Sequence, residues 1–548
     1  MRKATKILIL SLLLSCFFSV SAQAIDNNML KVGLRFGSST MFSANLQNVG
    51  GAGLGYEFGY FDSGRSFVSL GAATGEDAIS MSVDDNVFIS GGVYFQSTSN
   101  YTEYIGAYHL QLSQAYASYG DAAAAASNYA GGFVAYLGDR FAVRVGQYRT
   151  REGVERAWSA WTGEAAEIVS PSRTGVMVTA TGTDRILFYF DCGGQRNLAV
   201  SPRPISGEKP VTWFRGFRYY GAFEYPRAAG GELSVINVVN IEDYVKGVIG
   251  WEIGTNAPLE ATKAQAVAAR TYAATRTRHR SQGFDVCATD DCQVYQGLAA
   301  SSDLTNRAVD ETAGVYVYYN GSLAETYFYS SNGGASEDAK NVWGGDVAYL
   351  KGKADPYEAL VVARIPYKYN WSTTFTRGEL ESRLAAYGYS VGTLKNVYVS
   401  EYTPNGNVYA VTYVGSNVTR TVFRDTNRLM LNLRSLRFDI GGAANDAYYV
   451  NGANASVSGL RGVYTISGGG TVSQYGGAAS DAYVITSSGT SKLQKDAVST
   501  TGGDTFTFTG SGWGHSIGMS QWGAVAMAEQ GKDYKEILQF YYTGVEVR

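Results

Sequence analysis

Between residues 241 and 249, Ile241, Tyr244, Val245, Val248 and Ile249 recur at i, i+3, i+4, i+7 and i+8, the spacing that lays an apolar stripe along one helical face. Asn240 stands before the stripe as an N-cap, with Asp243 three residues on. Pro258 fits the first turn of a second helix, where a missing N–H costs nothing, and Ala264, Val267, Ala268, Thr271 and Tyr272 continue a periodic face. Glu252 is expected in the loop between the two, flanked by Trp251 and Ile253. A carboxyl held against an indole and an aliphatic chain is poorly hydrated as an anion, so its pKa should rise toward the range in which it donates a proton. The same spacing is also met by an exposed loop glutamate whose neighbours point away.

Period two dominates elsewhere. Residues 30–75 alternate apolar and polar positions with Gly-rich breaks and read as short strands. From Tyr108 the pattern becomes a strand, a helix from about Asp121, two strands ending at Tyr148, and a helix capped by Thr150, a β-α-β-β-α order. Residues 174–240 are strand-like. A helix near 377–387 and strands near 397–400, 408–414 and 418–424 follow, then a Gly/Ser/Tyr-rich stretch at 442–506 that reads as an added β insert. A helix from about Met519 ends at Gly531, and Asp533 with Glu536 caps the last one. The expected class is α+β and multidomain: a β-rich region at 25–103, a β-α-β-β-α unit at 104–165, and a larger unit at 205–548 built from sheets around the two helices that present Glu252.

Length supports several units, since 548 residues at about 150 per domain make three or four. With 66 Gly, 41 Tyr and only 9 Pro, the chain reads as ordered and strand-rich. A net charge of -3 gives no global basic field and argues against nucleic acid as a partner. Residues 1–24 carry a basic start, an apolar run and Ala22-Gln23-Ala24, which together read as a secretory signal peptide, so export to the cell wall or medium is expected. An uncleaved membrane anchor, or a lipid anchor at Leu13-Leu14-Ser15-Cys16, is the alternative.

Three blocks carry a family resemblance. KAQAVAARTYA at 263–273 follows Glu252 and the IEDYVKGV helix; Tyr329-Ser330-Ser331-Asn332-Gly333-Gly334 and Asn341-Val342-Trp343-Gly344 precede Tyr349-Leu350; and GWGHSIGMSQWGAVAMAEQG at 512–531 leads into YKEILQFYYTG. In this order, over roughly 205–548, they resemble the SpoIID/LytB family, which acts on bacterial cell wall. The resemblance implies a lytic transglycosylase that cleaves the N-acetylmuramic acid to N-acetylglucosamine bond of glycan strands, preferably strands stripped of stem peptides, during sporulation. It implies Glu252 as the catalytic acid/base, with no cofactor required. By motif position, Lys263, Gln265 and Arg270 are groove residues, and Ser330, Ser331, Asn332, His515 and Gln521 line the cleft. His515 reads equally as a structural hydrogen bond in a tight turn, and Trp513 offers a face for a sugar ring.

One carboxyl suffices for that reaction. Hydrolytic glycosidases use two flanking carboxyls, whereas the muramic 6-hydroxyl is an intramolecular nucleophile at high effective concentration. Two rivals stand beside this reading: a noncatalytic wall-binding enhancer of a cell-wall amidase, and a hydrolase pairing Glu252 with Asp243, Glu260 or Asp285. The closing block also departs from the family's common GWGHGVGMSQYGA at Ser516, Ile517 and Trp522, and a serine in place of glycine narrows the backbone choice at that turn.

Two further resemblances are local. VRVGQYRTREGVERA, closing the unit at 104–165, resembles a SPOR domain, which implies binding to peptide-free glycan; an ordinary α+β linker fits the same order. Without the leader the cysteines are Cys192, Cys287 and Cys292, and export permits a Cys287 to Cys292 disulfide. HRSQGFDVCATDDCQVYQG also resembles a loop that in some family members binds zinc through two Cys and two His. Here Asp291 stands at one His position and His279 lies eight residues before Cys287, so structural zinc, a disulfide and free thiols all remain open.

Overall fold

The strand Val235–Asn240 runs straight into the helix Ile241–Glu252, and what pairs with that strand fixes where the helix points. Its antiparallel neighbour on one side is Met29–Arg35, near the beginning of the chain, which pairs in parallel with Val286–Cys287 beyond it. On the other side come Ala222–Tyr225, Leu198–Pro202, Tyr56–Phe61 and Phe67–Thr74, completing seven strands. In this computed structural model the described residues are 28–205, 207–227, 231–441 and 504–548, with the backbone of six short strands between 442 and 503. The expected leader lies outside them. So does most of the 442–506 insert, whose described strands pair as three hairpins. No helix among the described residues is long and apolar enough to cross a membrane.

A second sheet of ten strands runs from Ala166–Val169 at one edge to Phe217–Tyr219 at the other. Both sheets draw strands from residues 28–83 and from residues beyond 170. The regions expected as separate units therefore share sheets and a common core, because each region's edge strands hydrogen-bond to strands of the next.

The segment expected to resemble a SPOR domain sits inside the large sheet. Tyr108–Tyr116, a helix Tyr119–Ala126, Gly132–Leu137, Arg140–Tyr148 and a helix Arg151–Ser159 follow the expected order, and Ala166–Val169 adds a fourth strand beside the first. One face packs Leu112, Val134 and Val143 against Ala122 and Ala126 of the first helix. The opposite face, where a bare sheet would meet a ligand, is covered by the meander Val87–Ser90, Val93–Phe95 and Glu103–Ile105, with Val87, Ile89 and Ile105 packed on Phe133 and Tyr189. Arg144 on that face is buried with its guanidinium 4.0 Å from the Tyr189 ring centre, and His109 is wholly buried. As an open glycan platform this face is unavailable, because apolar burial already holds the meander in place.

Two cores meet on one helix. Leu259–Thr275, hereafter the central helix, gives Ala266, Ala269, Ala273 and Ala274 to the core of the first lobe and Ala261, Ala264, Val267 and Ala268 to that of the second. Alanine is the strongest helix former and the smallest side chain compatible with close approach on both sides. The second core takes in the three-stranded sheet Leu394–Tyr402, Val408–Gly415 and Thr419–Phe423, the helix Arg377–Ala386, and the closing helices Gln521–Glu529 and Tyr534–Tyr541.

Candidate active site

All five apolar residues of the predicted stripe on Ile241–Glu252 are buried, and Asn240 caps the helix by accepting the Glu242 N–H at 2.9 Å. Gly247 and Gly250 leave bare backbone on which residues 295–300 lie: a Cβ at Gly250 would sit 1.9 Å from the Ala300 carbonyl oxygen. The helix runs on past the apolar stripe, so Glu252 is its last residue and not a loop residue. The carboxylate thus stands at the negative end of a helix dipole, which itself disfavours the anion.

Burial pushes the Glu252 carboxyl up to about 7, against the downward pull of hydrogen bonds from the Gln521 side chain and the Val294 backbone. Gln521 Nε2 donates to Glu252 Oε2 at 3.2 Å. The desolvating neighbours are only partly those expected, since Ile253 is half-buried but Trp251 is 45% exposed. Gln521 and Val294 instead arrive from distant parts of the chain. At neutral pH such a group is close to half protonated, the condition for giving and then retaking a proton.

Gln521 is held in place by a buried network that the sequence reading missed. The strand Phe328–Tyr329 runs parallel to Met519–Ser520, joining the middle and closing motifs. Glu358, fully buried, accepts from the Ser331 hydroxyl, from Ser520 Oγ at 2.6 Å, and from the Asn332 and Gly333 N–H groups at 2.9 and 3.2 Å. Burial nevertheless raises its pKa. Asp355 accepts from Asn332 Nδ2 and the Tyr541 hydroxyl, each at 2.6 Å. The Asp355 and Glu358 pair, three residues apart just after the middle motif, was the available signal.

Ser331 and Asn332 therefore hold Glu358 and do not line a cleft; both are wholly buried. Ser330 stays partly exposed, its carbonyl accepting the Trp522 N–H at 3.1 Å. Arg270 is no groove residue either. Its guanidinium is fully buried and grips Glu242 with Nε at 2.9 Å and Nη2 at 2.6 Å, tying the central helix to the start of the preceding one. Lys263 is engaged by Glu260 at 2.8 Å and Glu311 at 2.7 Å. Gln265 is wholly buried in the central helix, with neither amide atom hydrogen-bonded.

His515 takes the structural alternative. Its Nδ1 accepts the Ile517 N–H at 3.1 Å, and the rings of Trp343 and Tyr329 lie 5.0 and 5.3 Å away. Burial, helped by the Arg428 charge and opposed by a hydrogen bond to the Phe328 backbone, lowers its pKa to about 3, so the imidazole is neutral. Ser516 next to it adopts φ 65°, the left-handed conformation a glycine would take freely.

None of the proposed second carboxyls pairs with Glu252. Asp243 lies nine residues earlier on the same helix, roughly 13 Å along its axis, beyond the ~5–9.5 Å that two-carboxyl glycosidases use, and Lys209 holds it. Glu260 binds Lys263 and the Tyr534 N–H, and Asp285 is gripped by Arg65 at 2.6 and 2.8 Å.

Cys287 and Cys292 are free thiols here, not a disulfide. With His279 and Asp291 they form a cluster whose ligand atoms all lie within 4.8 Å of one another. His279 Nε2 is buried without a hydrogen-bond partner, while Nδ1 meets Gln282 at 2.8 Å. Two sulfurs, an orphaned imidazole nitrogen and a carboxylate fit the donor set of a tetrahedral zinc site.

Comparison with known proteins now places this arrangement. A family profile described as Stage II sporulation protein, SpoIID, matches residues 229–319, which hold both helices and the cysteine loop. An uncharacterized protein of Brachyspira hyodysenteriae is 31% identical over 334 residues, 61% of this chain and 73% of that one. The chain belongs to the SpoIID/LytB family, whose setting is the cell wall in sporulation. The amidase enhancer of Bacillus subtilis is 31% identical over 310 residues, 55% of this chain but 39% of the enhancer. Stage II sporulation protein D of the same organism is 26% identical over 325 residues, 56% of this chain and 74% of that protein.

Proposed function

We propose that the chain is an exported lytic transglycosylase acting on glycan strands of peptidoglycan. The observation that carries this reading is the Glu252 carboxyl, raised to about 7 and held by the Gln521 amide, with each of the candidate second carboxyls Asp243, Glu260 and Asp285 committed elsewhere. Protonated Glu252 gives its proton to the glycosidic oxygen as the bond from muramic C1 breaks. The 6-hydroxyl of the same sugar closes on C1 and returns its proton to the Glu252 carboxylate, leaving a 1,6-anhydro end without consuming water. Gln521 orients the carboxyl throughout.

Zinc at His279, Cys287, Asp291 and Cys292 would be structural. Cys292 is two residues from Val294, whose N–H reaches Glu252, so the loop would brace the acid. Elemental analysis of purified protein should give close to one zinc per chain, falling on Cys287→Ser. No bound metal in protein purified without chelators would refute the assignment.

The enhancer relative supports a second reading, a noncatalytic partner of a wall amidase. Mass spectrometry of fragments released from amidase-stripped peptidoglycan separates them. Anhydro-muramic ends made by the parent and absent with Glu252→Gln support the transglycosylase. Reducing ends would mean hydrolysis, and stimulation of an amidase without any glycan cleavage would favour the partner.

A further inference from the structure

The loop that brings Glu358 into the buried network has a second side. Its 3-10 helix Glu358–Arg364 and the short helix Pro366–Tyr369 turn Glu358, Val361 and Ile365 inward. Glu358 accepts there from Ser331 and Ser520, and the two apolar side chains pack with Ala526 of the closing helix. What is left outside is apolar: Ala359, Leu360, Ala363, Pro366 and Tyr367 are exposed. Leu360 at 60% and Tyr367 at 63% are the most exposed large hydrophobic side chains among the described residues. Because the inward side is pinned, these groups are held out in water, and an exposed apolar patch of this kind marks a contact surface.

Three cations rim the patch, and none has a carboxylate partner among the described residues. Lys353 Nζ lies 5.1 Å from the ring centre of Phe540, whose ring is 5.5 Å from that of Tyr357 at the head of the loop. Lys368 Nζ lies 5.7 Å from that of Trp522, and the Arg434 guanidinium 4.6 Å from that of Trp513. Arg434 also donates to the Tyr367 carbonyl, which fixes it to the loop. Resting a cation on an aromatic face sets its position and leaves its charge uncancelled. Arg364 is paired with Glu529, and the nearby carboxylates Asp355 and Glu358 are buried. The surface is therefore apolar at its summit and positive around it.

We infer that this surface seats on an anionic lipid bilayer. Leu360 and Tyr367 enter the headgroup and upper acyl layer, and Lys353, Lys368 and Arg434 meet lipid phosphates, the division of labour of an interfacial membrane contact. Side chains this exposed project and do not line a groove, so they suit a soft apolar layer better than a sugar strand or a carboxylate-bearing protein. Trp522 follows Gln521, whose amide is on Glu252, so the contact would hold the acid beside the membrane and direct it to the wall nearest the bilayer. The inference goes beyond the transglycosylase reading and does not depend on cleavage.

The test is co-sedimentation of the full chain with vesicles of phosphatidylcholine, alone or with about one-third phosphatidylglycerol, at low and high salt. Binding to the anionic vesicles should be about a hundredfold tighter, roughly fivefold for each of the three cations, and should weaken as salt is added. Lys353→Gln with Lys368→Gln should remove about 25-fold of that preference while leaving Arg434 to hold the loop. Leu360→Ser with Tyr367→Ser should weaken anionic binding about tenfold with an unchanged melting curve. Any anchoring by the expected leader is common to parent and variants and cancels when they are compared. Equal binding to both vesicles, or variants that fold and bind like the parent, would overturn the inference. So would a loss, in the same variants and without lipid, of affinity for soluble glycan strands, which would make the patch part of the glycan site. Self-association of the parent that the variants lose would overturn it too, by making the patch an interface between copies.

Discussion

Glu252 shows how little a residue's chemistry depends on its immediate neighbours in sequence. Its pKa of about 7 comes from burial at a helix end, with Gln521 arriving from 269 residues away. Kinetically, a general acid with that value should lose kcat/KM as pH rises through about 7, with a single ionisation on the alkaline limb. A profile flat from pH 6 to 9 would remove Glu252 from the acid role. The stability term has its own sign. The native carboxyl holds a proton that the unfolded chain releases near 4.5, so this group's contribution falls as pH climbs from about 4.5 to 7 and is flat above. Glu252→Gln should flatten that slope in denaturant melts. Ser516 gives a second test at this scale. A left-handed φ costs an L-residue roughly 1–2 kcal/mol, and its buried hydroxyl has no partner. Glycine gives back roughly half of that gain through unfolded-state entropy. Ser516→Gly should stabilise the protein by about 1 kcal/mol, and a loss of stability would show that the hydroxyl is bonded in solution.

At the scale of elements, the two helices around Glu252 were legible because each is local: an Asn cap, a 3.6-residue stripe and a proline at the second start appear within 35 residues. The helix caps at Thr150 and Asp533 were legible for the same reason. What the sequence could not display is which face a polar residue of a fully buried helix presents. Motif position puts Arg270 in the groove; only the partner strands and helices reveal Glu242 and the Val315 carbonyl around it. The same holds for Ser331 and Asn332, whose donors turn inward to Glu358. This distinction is measurable. Removing one member of a buried pair leaves the other without compensation, at a cost of about 3 kcal/mol or more. Arg270→Gln should therefore lower unfolding stability by about 3 kcal/mol, whereas a groove arginine would lose glycan affinity and leave stability nearly untouched.

Across the whole molecule the consequential feature is the central helix, because its residues are divided between the two cores. Sheets that cross the expected domain boundaries were invisible to a reading based on local pattern, since strand partners such as Met29–Arg35 and Val235–Asn240 are some two hundred residues apart. Each lobe holds a histidine kept neutral by its surroundings: buried His109 in the first, lowered to about 4 by burial first and the Arg144 charge next, and partly exposed His515 in the second, lowered to about 3. Unfolded imidazoles take a proton near 6.5 and these native ones refuse it. The unfolded state therefore binds more protons below that pH, and stability falls as pH drops from 6.5 toward 3. Were the lobes independent, acidification would split thermal unfolding into two transitions, one for each histidine. Because Ala266 and Ala269 pack one core while Ala264 and Val267 pack the other, melting either core removes a wall of its neighbour. The expected result is one transition whose midpoint moves down as pH falls below about 6.5, coincident by far-UV dichroism and tryptophan fluorescence. Separation of the two signals at pH 5 would mean that the helix does not couple the lobes, and that Glu252 and Gln521, contributed one from each, are held together by something else.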